Sequence, residues 1–189
     1  MMSAPGPDIL DDLLRDDLLV VFCGTRAGTA SARRGAYYAG PGNRFWATLH
    51  QAGLTQRRLR PEQFRDLLAF RIGLTDLAKT TAGQDADMMA DDLDIQRFRA
   101  SIRRHAPKIV AFTSKTAAAA ALRLRGTGRL AYGRVDERIE GAEVYVLPST
   151  SGLATSYWDI KPWKALGLYV QHLREGDARM TEQDCHATA

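Results

Sequence analysis

The segment from Leu18 to Trp46 constrains the fold of this chain more than any other stretch. It begins with a continuous apolar run, Leu18–Cys23, which is typical of a buried strand in a parallel sheet. The run stops at Gly24, and the turn that follows closes at Gly28. Glycines let a backbone approach a ligand closely, and loops after parallel strands are where open α/β sheets bind ligands. We therefore predict a ligand site at the carboxyl end of this strand.

Strand and helix patterns alternate along the whole chain. The predicted strands are Leu18–Cys23, Phe70–Leu74, Lys108–Phe112, Val135–Ile139 and Glu143–Leu147. The predicted helices are Asp8–Leu14, Asn43–Ala52, Pro61–Ala69, Asp94–His105, Lys115–Leu124 and Trp163–Leu173. This order predicts an α/β fold with three αβα layers around a central, largely parallel β-sheet. We expect one domain over residues 1–189, with flexible ends at about residues 1–7 and 176–189.

Composition excludes several classes of protein. No apolar run approaches the ~20 residues of a membrane span, and no signal-peptide pattern is present, so we expect a cytoplasmic protein without a membrane partner. Two cysteines cannot supply a four-thiolate iron–sulfur or zinc site, and the four histidines lack ligand spacing. We therefore expect no metal and no cofactor.

Arginine clusters accompany a net charge of +4, which permits a polyanionic partner. They are Arg33-Arg34, Arg57-Arg58 with Arg60, and Arg103-Arg104. Arginine suits bidentate phosphate recognition, although each cluster alone is equally consistent with solvated surface charge.

Two motifs carry a family resemblance. Gly40–Trp46 reads GPGNRFW, and Leu147–Leu153 reads LPSTSGL. With VVFCG before the first turn, and with order and spacing that agree over residues 8–175, they resemble the mismatch-specific uracil/thymine-DNA glycosylases of the uracil-DNA glycosylase superfamily. The resemblance implies a monofunctional enzyme of base-excision repair. Such an enzyme flips uracil, or another deaminated or mismatched base, out of DNA and hydrolyses its N-glycosidic bond. It would associate with the nucleoid through DNA.

The first turn departs from the family pattern. The family usually reads G-I-N-P-G there, and its Asn holds the attacking water, whereas this chain reads GTRAG from Gly24 to Gly28. Arg26 stands at the position of that Asn and cannot act as a base near neutral pH. We interpret Arg26 as a ligand of the departing base or of a flanking phosphate. The alternative is an arginine that points out of the loop.

Asp76 and Arg26 are the two candidate catalytic residues, and Asp76 is the candidate for the catalytic carboxylate. It follows the predicted strand Phe70–Leu74, in a loop expected at the same rim as the first turn. A carboxylate near the sugar would stabilise the positive charge that builds during bond cleavage and could orient water. The alternative is a helix N-cap.

Four residues are candidates for the base pocket. Tyr38 matches the stacking aromatic of the family, although it could instead be a core aromatic with Tyr37 in the stacking role. Backbone N–H groups at Gly24 and Thr25 could donate to the base carbonyls. Asn43 could shape the pocket, but its predicted role as a helix N-cap needs no DNA.

DNA contacts are expected from the second motif and from one lysine. Ser149, Ser151 and Gly152 could bind phosphate oxygens through hydroxyl and backbone N–H groups. Leu153 matches the apolar wedge that fills the vacated base stack in the family, and the alternative is a leucine packed in an ordinary turn. Lys115 matches a family lysine that is DNA-facing or structural, and no lysine resembles a Schiff-base nucleophile.

Two other functions stay open at this stage. One is a non-catalytic or weakly catalytic module of the same fold that binds uracil or abasic DNA, because the usual Asn is missing. The other is a small-molecule α/β hydrolase or a nucleotide-binding enzyme, which the lack of G-x-S-x-G and G-x-x-x-x-G-K-[ST] motifs disfavours. The oligomeric state we expect is a monomer.

Overall fold

A five-stranded sheet forms the centre of the protein. The computed structural model describes residues 6–84, 89–156 and 158–187. The strands are β1 (Val20–Gly24), β2 (Ile72–Asp76), β3 (Ile109–Phe112), β4 (Gly133–Ile139) and β5 (Ala142–Val146). Their order across the sheet is β2-β1-β3-β5-β4. Strands β2, β1, β3 and β5 run parallel, and β4 pairs with β5 in the antiparallel direction. The predicted largely parallel sheet is confirmed.

Helices cover both faces of this sheet. They are α1 (Thr29–Arg34), α2 (Phe45–Gln51), α3 (Ile95–His105), α4 (Lys115–Ala121) and α5 (Lys161–Ala187), with 3₁₀ helices at Pro61–Phe70 and Ala90–Asp92. Alternate residues of β1 point to opposite faces, as the pleat requires. Phe22 packs in the core with α2 and α5, whereas Val21 packs in the core with α3 and α4. The three-layer αβα prediction is confirmed.

An aromatic cluster fixes α5 against the sheet and the second motif. The ring of Trp163 stacks on Phe22, with ring centroids 5.5 Å apart, and Phe45 of α2 meets Phe22 edge-on at 5.5 Å. The indole Nε1 of Trp163 donates to the carbonyl oxygen of Pro148 at 3.1 Å. A buried indole N–H needs such a partner, so packing of α5 also positions the loop that begins at Pro148.

The predicted helix at Asp8–Leu14 is wrong, because this segment is irregular. Leu13 forms an isolated antiparallel bridge with Leu74, in which each backbone N–H donates to the other residue's carbonyl. The N–H of Ile9 likewise donates to the carbonyl of Lys79. The segment therefore covers the outer edge of β2, and hydrogen bonds to distant residues replace the helical ones that its local pattern favoured.

One helix was not predicted, and another is longer than predicted. The short helix α1 was not predicted; it has no apolar period, and its end is marked only by Gly35, whose φ is 57°. The last helix was predicted to stop near Leu173, but α5 continues to Ala187. The segment expected to be flexible from Gly176 is thus helical as far as residue 187, and its mobility stays a prediction. The remaining expected flexible residues lie largely outside the described ranges.

Candidate active site

A cavity of about 670 Å³ opens where the parallel strands end. Because β1, β2, β3 and β5 run parallel, the loops that follow them meet at one edge of the sheet. Ten of the eleven predicted site residues line this cavity: Gly24, Thr25, Arg26, Tyr38, Asn43, Asp76, Ser149, Ser151, Gly152 and Leu153. Segments that are more than a hundred residues apart in sequence therefore form one site.

Asp76 is the last residue of β2 and pairs in register with Gly24, the last residue of β1. Its carboxylate is buried, with 6% of the residue exposed, and lies directly against the α-carbon of Gly24. Residues 77–84, directly after Asp76, form no helix, so the N-cap alternative is wrong. The backbone N–H groups of Leu77 and Ala78 instead donate to the carbonyls of Gly24 and Thr25, at 3.0 and 2.8 Å. These bonds hold the two strand ends together beneath the cavity.

A buried ion pair that the sequence analysis did not predict lies behind Asp76. The ammonium group of Lys79, only 3% exposed, contacts the Asp12 carboxylate and donates to Thr75 Oγ1 at 2.6 Å. Thr75 Oγ1 in turn donates to Asp12 Oδ1 at 2.6 Å. Asp12 lies in the segment that was predicted to be helical, so no sequence signal placed it beside Lys79. This closed network fixes the end of β2 on the side away from solvent.

The thiol of Cys23 is buried on the neighbouring strand β1, where Cys23 pairs in register with Thr75. Burial raises the pKa of the Cys23 thiol well above its ordinary value, and the nearby carboxylate of Asp76 raises it further. Lys79 opposes this effect but does not overcome it. Cys23 is therefore a protonated core residue, as its position at the end of an apolar run indicates.

Tyr38 is half-buried and stacks on Phe45, with centroids 3.8 Å apart and an interplanar angle of 17°. Its backbone adopts φ = 52°, the left-handed region that non-glycine residues seldom occupy. The Tyr38 hydroxyl lies 3.3 Å from Thr113 Oγ1, at the end of β3. One face of the ring thus rests on Phe45 while the residue lines the cavity, an arrangement that permits stacking of a base on its other face. Tyr37, by contrast, is a core residue, 2% exposed.

Arg26 lines the cavity and does not point away from the protein. Its guanidinium donates to the carbonyl oxygen of Gln84 and packs against Gly83. The N–H of Gly83 also donates to the carbonyl of Ala27 at 3.0 Å, which ties the two loops together. Arg26 Nε is buried and has no hydrogen-bond partner among the residues that the structure describes. The guanidinium charge therefore lies in the wall of the cavity and is partly desolvated.

The two sequence motifs both line the cavity and contact each other. The α-carbon of Gly152 lies against the carbonyl of Pro41, where a Cβ would come within 3.1 Å. The N–H of Arg44 donates to the carbonyl of Thr150 at 2.9 Å. Asn43 was predicted as the N-cap, but Arg44 occupies that position; Asn43 Oδ1 accepts from the N–H of Phe45 at 3.0 Å. The Asn43 side chain therefore still satisfies the N–H of the first helical residue, although Asn43 lies one residue before the N-cap.

Two hydroxyls shape the loop that carries Leu153. Ser149 Oγ accepts from the N–H of Ser151, and Ser151 Oγ accepts from the N–H of Leu153, each at 3.3 Å. Such local bonds preform a turn. Leu153 is 77% exposed at the rim of the cavity, so the alternative of a leucine packed inside a turn is wrong.

Lys115 is the one predicted site residue outside the cavity. Its ammonium group lies 4.6 Å from the ring centroid of Tyr132, over the ring face. The residues before it, Thr113 and Ser114, do line the cavity and were missed. Ser114 Oγ accepts from the N–H of Ala117 and lies 3.5 Å from Thr25 Oγ1. The sequence could have indicated Thr113 and Ser114 as cavity residues, because they follow the apolar strand β3 directly.

Within residues 6–84, 89–156 and 158–187, no three His, Cys, Asp or Glu residues are grouped so that they could hold a metal ion. In the same ranges, no helix combines the length and the apolar character needed to cross a bilayer.

The comparison with known families decides the assignment. The profile of the Uracil DNA glycosylase superfamily matches residues 12–173, which is most of the chain. The chain belongs to the uracil DNA glycosylase superfamily. Membership in this superfamily supports a glycosylase-like function that acts on DNA.

A solved structure supports the fold of this superfamily member. The solution NMR structure of a "putative Uracil DNA glycosylase" from Methanosarcina acetivorans superposes with a TM-score of 0.64. The two sequences are 22% identical, and the match covers 86% of this chain and 97% of the other. At this identity the likeness concerns the fold, and the roles of individual residues depend on the geometry of the cavity itself.

Proposed function

We propose that this protein is a monofunctional DNA glycosylase that excises uracil from DNA, as a divergent relative of the mismatch-specific uracil/thymine-DNA glycosylases. The observation that carries the proposal is the cavity, which combines the buried carboxylate of Asp76, the ring of Tyr38 and the exposed side chain of Leu153. A glycosylase needs these three features, because the base must be extruded, stacked and cleaved from its sugar. In this proposal the enzyme acts as a monomer on nucleoid DNA.

The chemistry follows from where the charges lie. When the bond between C1′ and the base nitrogen breaks, the base leaves with the bonding electrons and the sugar becomes cationic. Asp76 stabilises the cation from the end of β2, and Arg26, which lines the same cavity, favours the anionic base. Water then bonds to C1′, and its proton passes to Asp76 or to solvent.

Leu153 and Tyr38 act before this step. Leu153 enters the duplex from the rim and fills the space that the extruded nucleotide leaves. Tyr38, supported by Phe45, receives the base on its remaining face. Ser149 and Ser151 hold the loop in a turn whose outer groups contact phosphates. Lys115 adds positive charge near the rim.

A second candidate function is a binding module that recognises uracil or abasic DNA and cleaves weakly. The observation in its favour is Arg26, which occupies the position of the family's water-binding Asn and is engaged with the carbonyl of Gln84. This module would use the same cavity and the same wedge.

A turnover assay separates the two functions. Purified protein is incubated in excess over otherwise identical U:G, U:A, T:G and single-stranded U oligonucleotides, and released base is measured. We expect free uracil and an abasic site, with activity retained in EDTA and no adduct trapped by borohydride. Retention of uracil DNA without release of base from any of these substrates would support the binding module and reject the enzyme.

A further inference from the structure

A second cavity, of about 490 Å³, adjoins the first. The two cavities share four lining residues, Tyr38, Gly40, Pro41 and Asn43, so Tyr38 and the start of the first motif separate them. The second cavity lies between this motif and the segment that leads into the 3₁₀ helix Pro61–Phe70. We call it the basic groove, because Arg34, Arg58 and Arg60 line it.

The positive charge of the basic groove is only partly neutralised. Arg34 pairs with Glu62 and donates to the carbonyl of Ala39 at 3.1 Å. Arg58 and Arg60 are exposed, and neither side chain has an ion-pair partner within the part of the chain that the structure describes. Three guanidinium groups thus face one carboxylate. Arginine side chains held at a concave surface fit phosphate oxygens, which they can bind in bidentate fashion.

The floor of the basic groove is apolar and fixed. Leu59 and Trp46, which are 2% and 4% exposed, line the groove together with Pro41 and Pro61. The indole Nε1 of Trp46 donates to the carbonyl of Tyr37 at 3.1 Å, so this ring cannot rotate without losing a buried bond. An apolar floor beneath a cationic rim fits a nucleotide, whose sugar and base pack below while its phosphates reach the arginines.

We propose that the basic groove binds the DNA strand that carries the target nucleotide, on one side of that nucleotide, through contacts of Arg58 and Arg60 with flanking phosphates. The proposal rests on the proposed function, since it takes the first cavity as the base pocket. The strand would pass over Gly40 and Pro41, the lining that the two cavities share.

The test compares two double variants that change charge equally. Arg58→Gln/Arg60→Gln, the groove variant, removes two of the three guanidinium charges that line the basic groove and keeps Arg34, which pairs with Glu62. Arg104→Gln/Lys108→Gln removes two exposed charges where α3 leads into the amino end of β3, at the opposite edge of the sheet from the cavity. Affinity for duplex uracil DNA is measured by fluorescence anisotropy from 50 to 200 mM salt. At low salt, we expect the groove variant to bind this DNA at least roughly tenfold more weakly than the wild type or the control variant does. The slope of log K against log salt should fall by about 0.9 for each lost phosphate contact.

Truncated substrates locate the contact. Duplexes are shortened on one side or the other of the target nucleotide, and the wild type is compared with the groove variant on each. The difference in affinity should vanish when the flank on one side is removed and persist when the other is removed. A difference that persists for both truncations would overturn the proposal, as would equal affinities of the two double variants.

The affinity test of the basic groove can fail or succeed independently of the turnover test of the proposed function. If the wild type binds DNA with a strong salt dependence but releases no base, the enzyme proposal fails and the affinity comparison still decides on the basic groove. Conversely, base release that proceeds with equal DNA affinity in wild type and groove variant supports the enzyme and overturns the groove. Circular dichroism of both variants should match the wild type, because all four side chains are exposed.

Discussion

Gly24 and Asp76 occupy the same position at the ends of two adjacent strands, and the carboxylate of Asp76 fills the space that a side chain on Gly24 would need. The backbone at Gly24 does not have a positive φ, so its conformation does not require glycine. The contact with Asp76 explains why glycine is needed at this position. The absence of a side chain at one strand end therefore creates the place for the carboxylate at the other.

The first prediction follows from that contact. In Gly24→Ala the new Cβ would overlap Asp76 Oδ1, so the carboxylate must move, and we expect base release to fall by about tenfold or more. Gly28→Ala is the matched control in the same turn, because a Cβ there meets nothing within 4 Å. Single-turnover rates of the two variants are compared. Similar losses of rate in both variants would show that any substitution in this turn impairs base release, and that displacement of Asp76 is not the cause.

The second prediction concerns the charge of Asp76. Asp76→Asn keeps the shape of the side chain and removes its negative charge, so the sugar cation loses its stabilising group. We expect the single-turnover rate to fall by about 10²–10³ while DNA affinity stays nearly unchanged. A fully active, normally folded variant would exclude Asp76 from the mechanism and direct the search to Ser31, which lines the cavity, and to Gly83–Asp87, of which residues 85–87 lie outside the described ranges.

The third prediction separates the ring of Tyr38 from its hydroxyl. Tyr38→Phe keeps the stack on Phe45 and loses the hydroxyl, which contacts Thr113, whereas Tyr38→Ala loses the surface that receives the base. Since stacking of a base on an aromatic ring contributes roughly 1–3 kcal/mol, Tyr38→Ala should impair productive capture far more than Tyr38→Phe. Single-turnover rates at subsaturating protein measure this. Equal effects of the two variants would assign the role to the hydroxyl.

The fourth prediction concerns the wedge. Leu153 is 77% exposed, so Leu153→Ala should leave the free energy of unfolding within about 0.5 kcal/mol of wild type. Excision from duplex DNA should fall more than excision from single strands, which have no base pair to open. Leu168→Ala, at a 70% exposed position on α5, is the control for loss of an exposed leucine. An equal loss on both kinds of substrate would reject the wedge.

The fifth prediction is a loss of stability at alkaline pH. Burial raises the pKa of the Cys23 thiol and of the Tyr37 hydroxyl in the folded protein, with Asp76 the next cause for both. The unfolded thiol ionises above about pH 8.5 while the folded thiol stays protonated, so the unfolding free energy is intact below that pH and falls above it. The limiting slope is roughly 1.4 kcal/mol per pH unit for each group. Urea unfolding from pH 7.5 to 10 should show a smaller decline in Cys23→Ala, and an unchanged decline would contradict the assignment.

The sequence predicts well what depends on strand direction. The ends of parallel strands must share an edge, so the meeting of the Gly24 turn with Asp76 and with the Leu147–Leu153 motif could be foreseen from the order of apolar runs. The same logic fails for Lys115, since it predicts which loop lies at the rim but not which of its side chains enter the cavity.

What could not be predicted depends on pairing between distant segments. The local pattern of Asp8–Leu14 favours a helix, and only the exposed edge of β2 makes an extended segment more favourable there. The ion pair of Asp12 with Lys79 follows from that pairing and was missed with it. The arginines of the basic groove were visible as two separate clusters, but their convergence on one cavity depends on how the 3₁₀ helix Pro61–Phe70 packs beside α1 and α2.

The bridge between Leu13 and Leu74 also bears on how copies of this protein behave beside one another. Without the segment around Leu13, the outer side of β2 would present unpaired N–H and carbonyl groups beside an apolar strand, a template onto which a strand of another copy could add. The segment occupies these groups with hydrogen bonds from the same chain. Removal of the first fourteen residues would therefore expose this edge and make the chain self-associating.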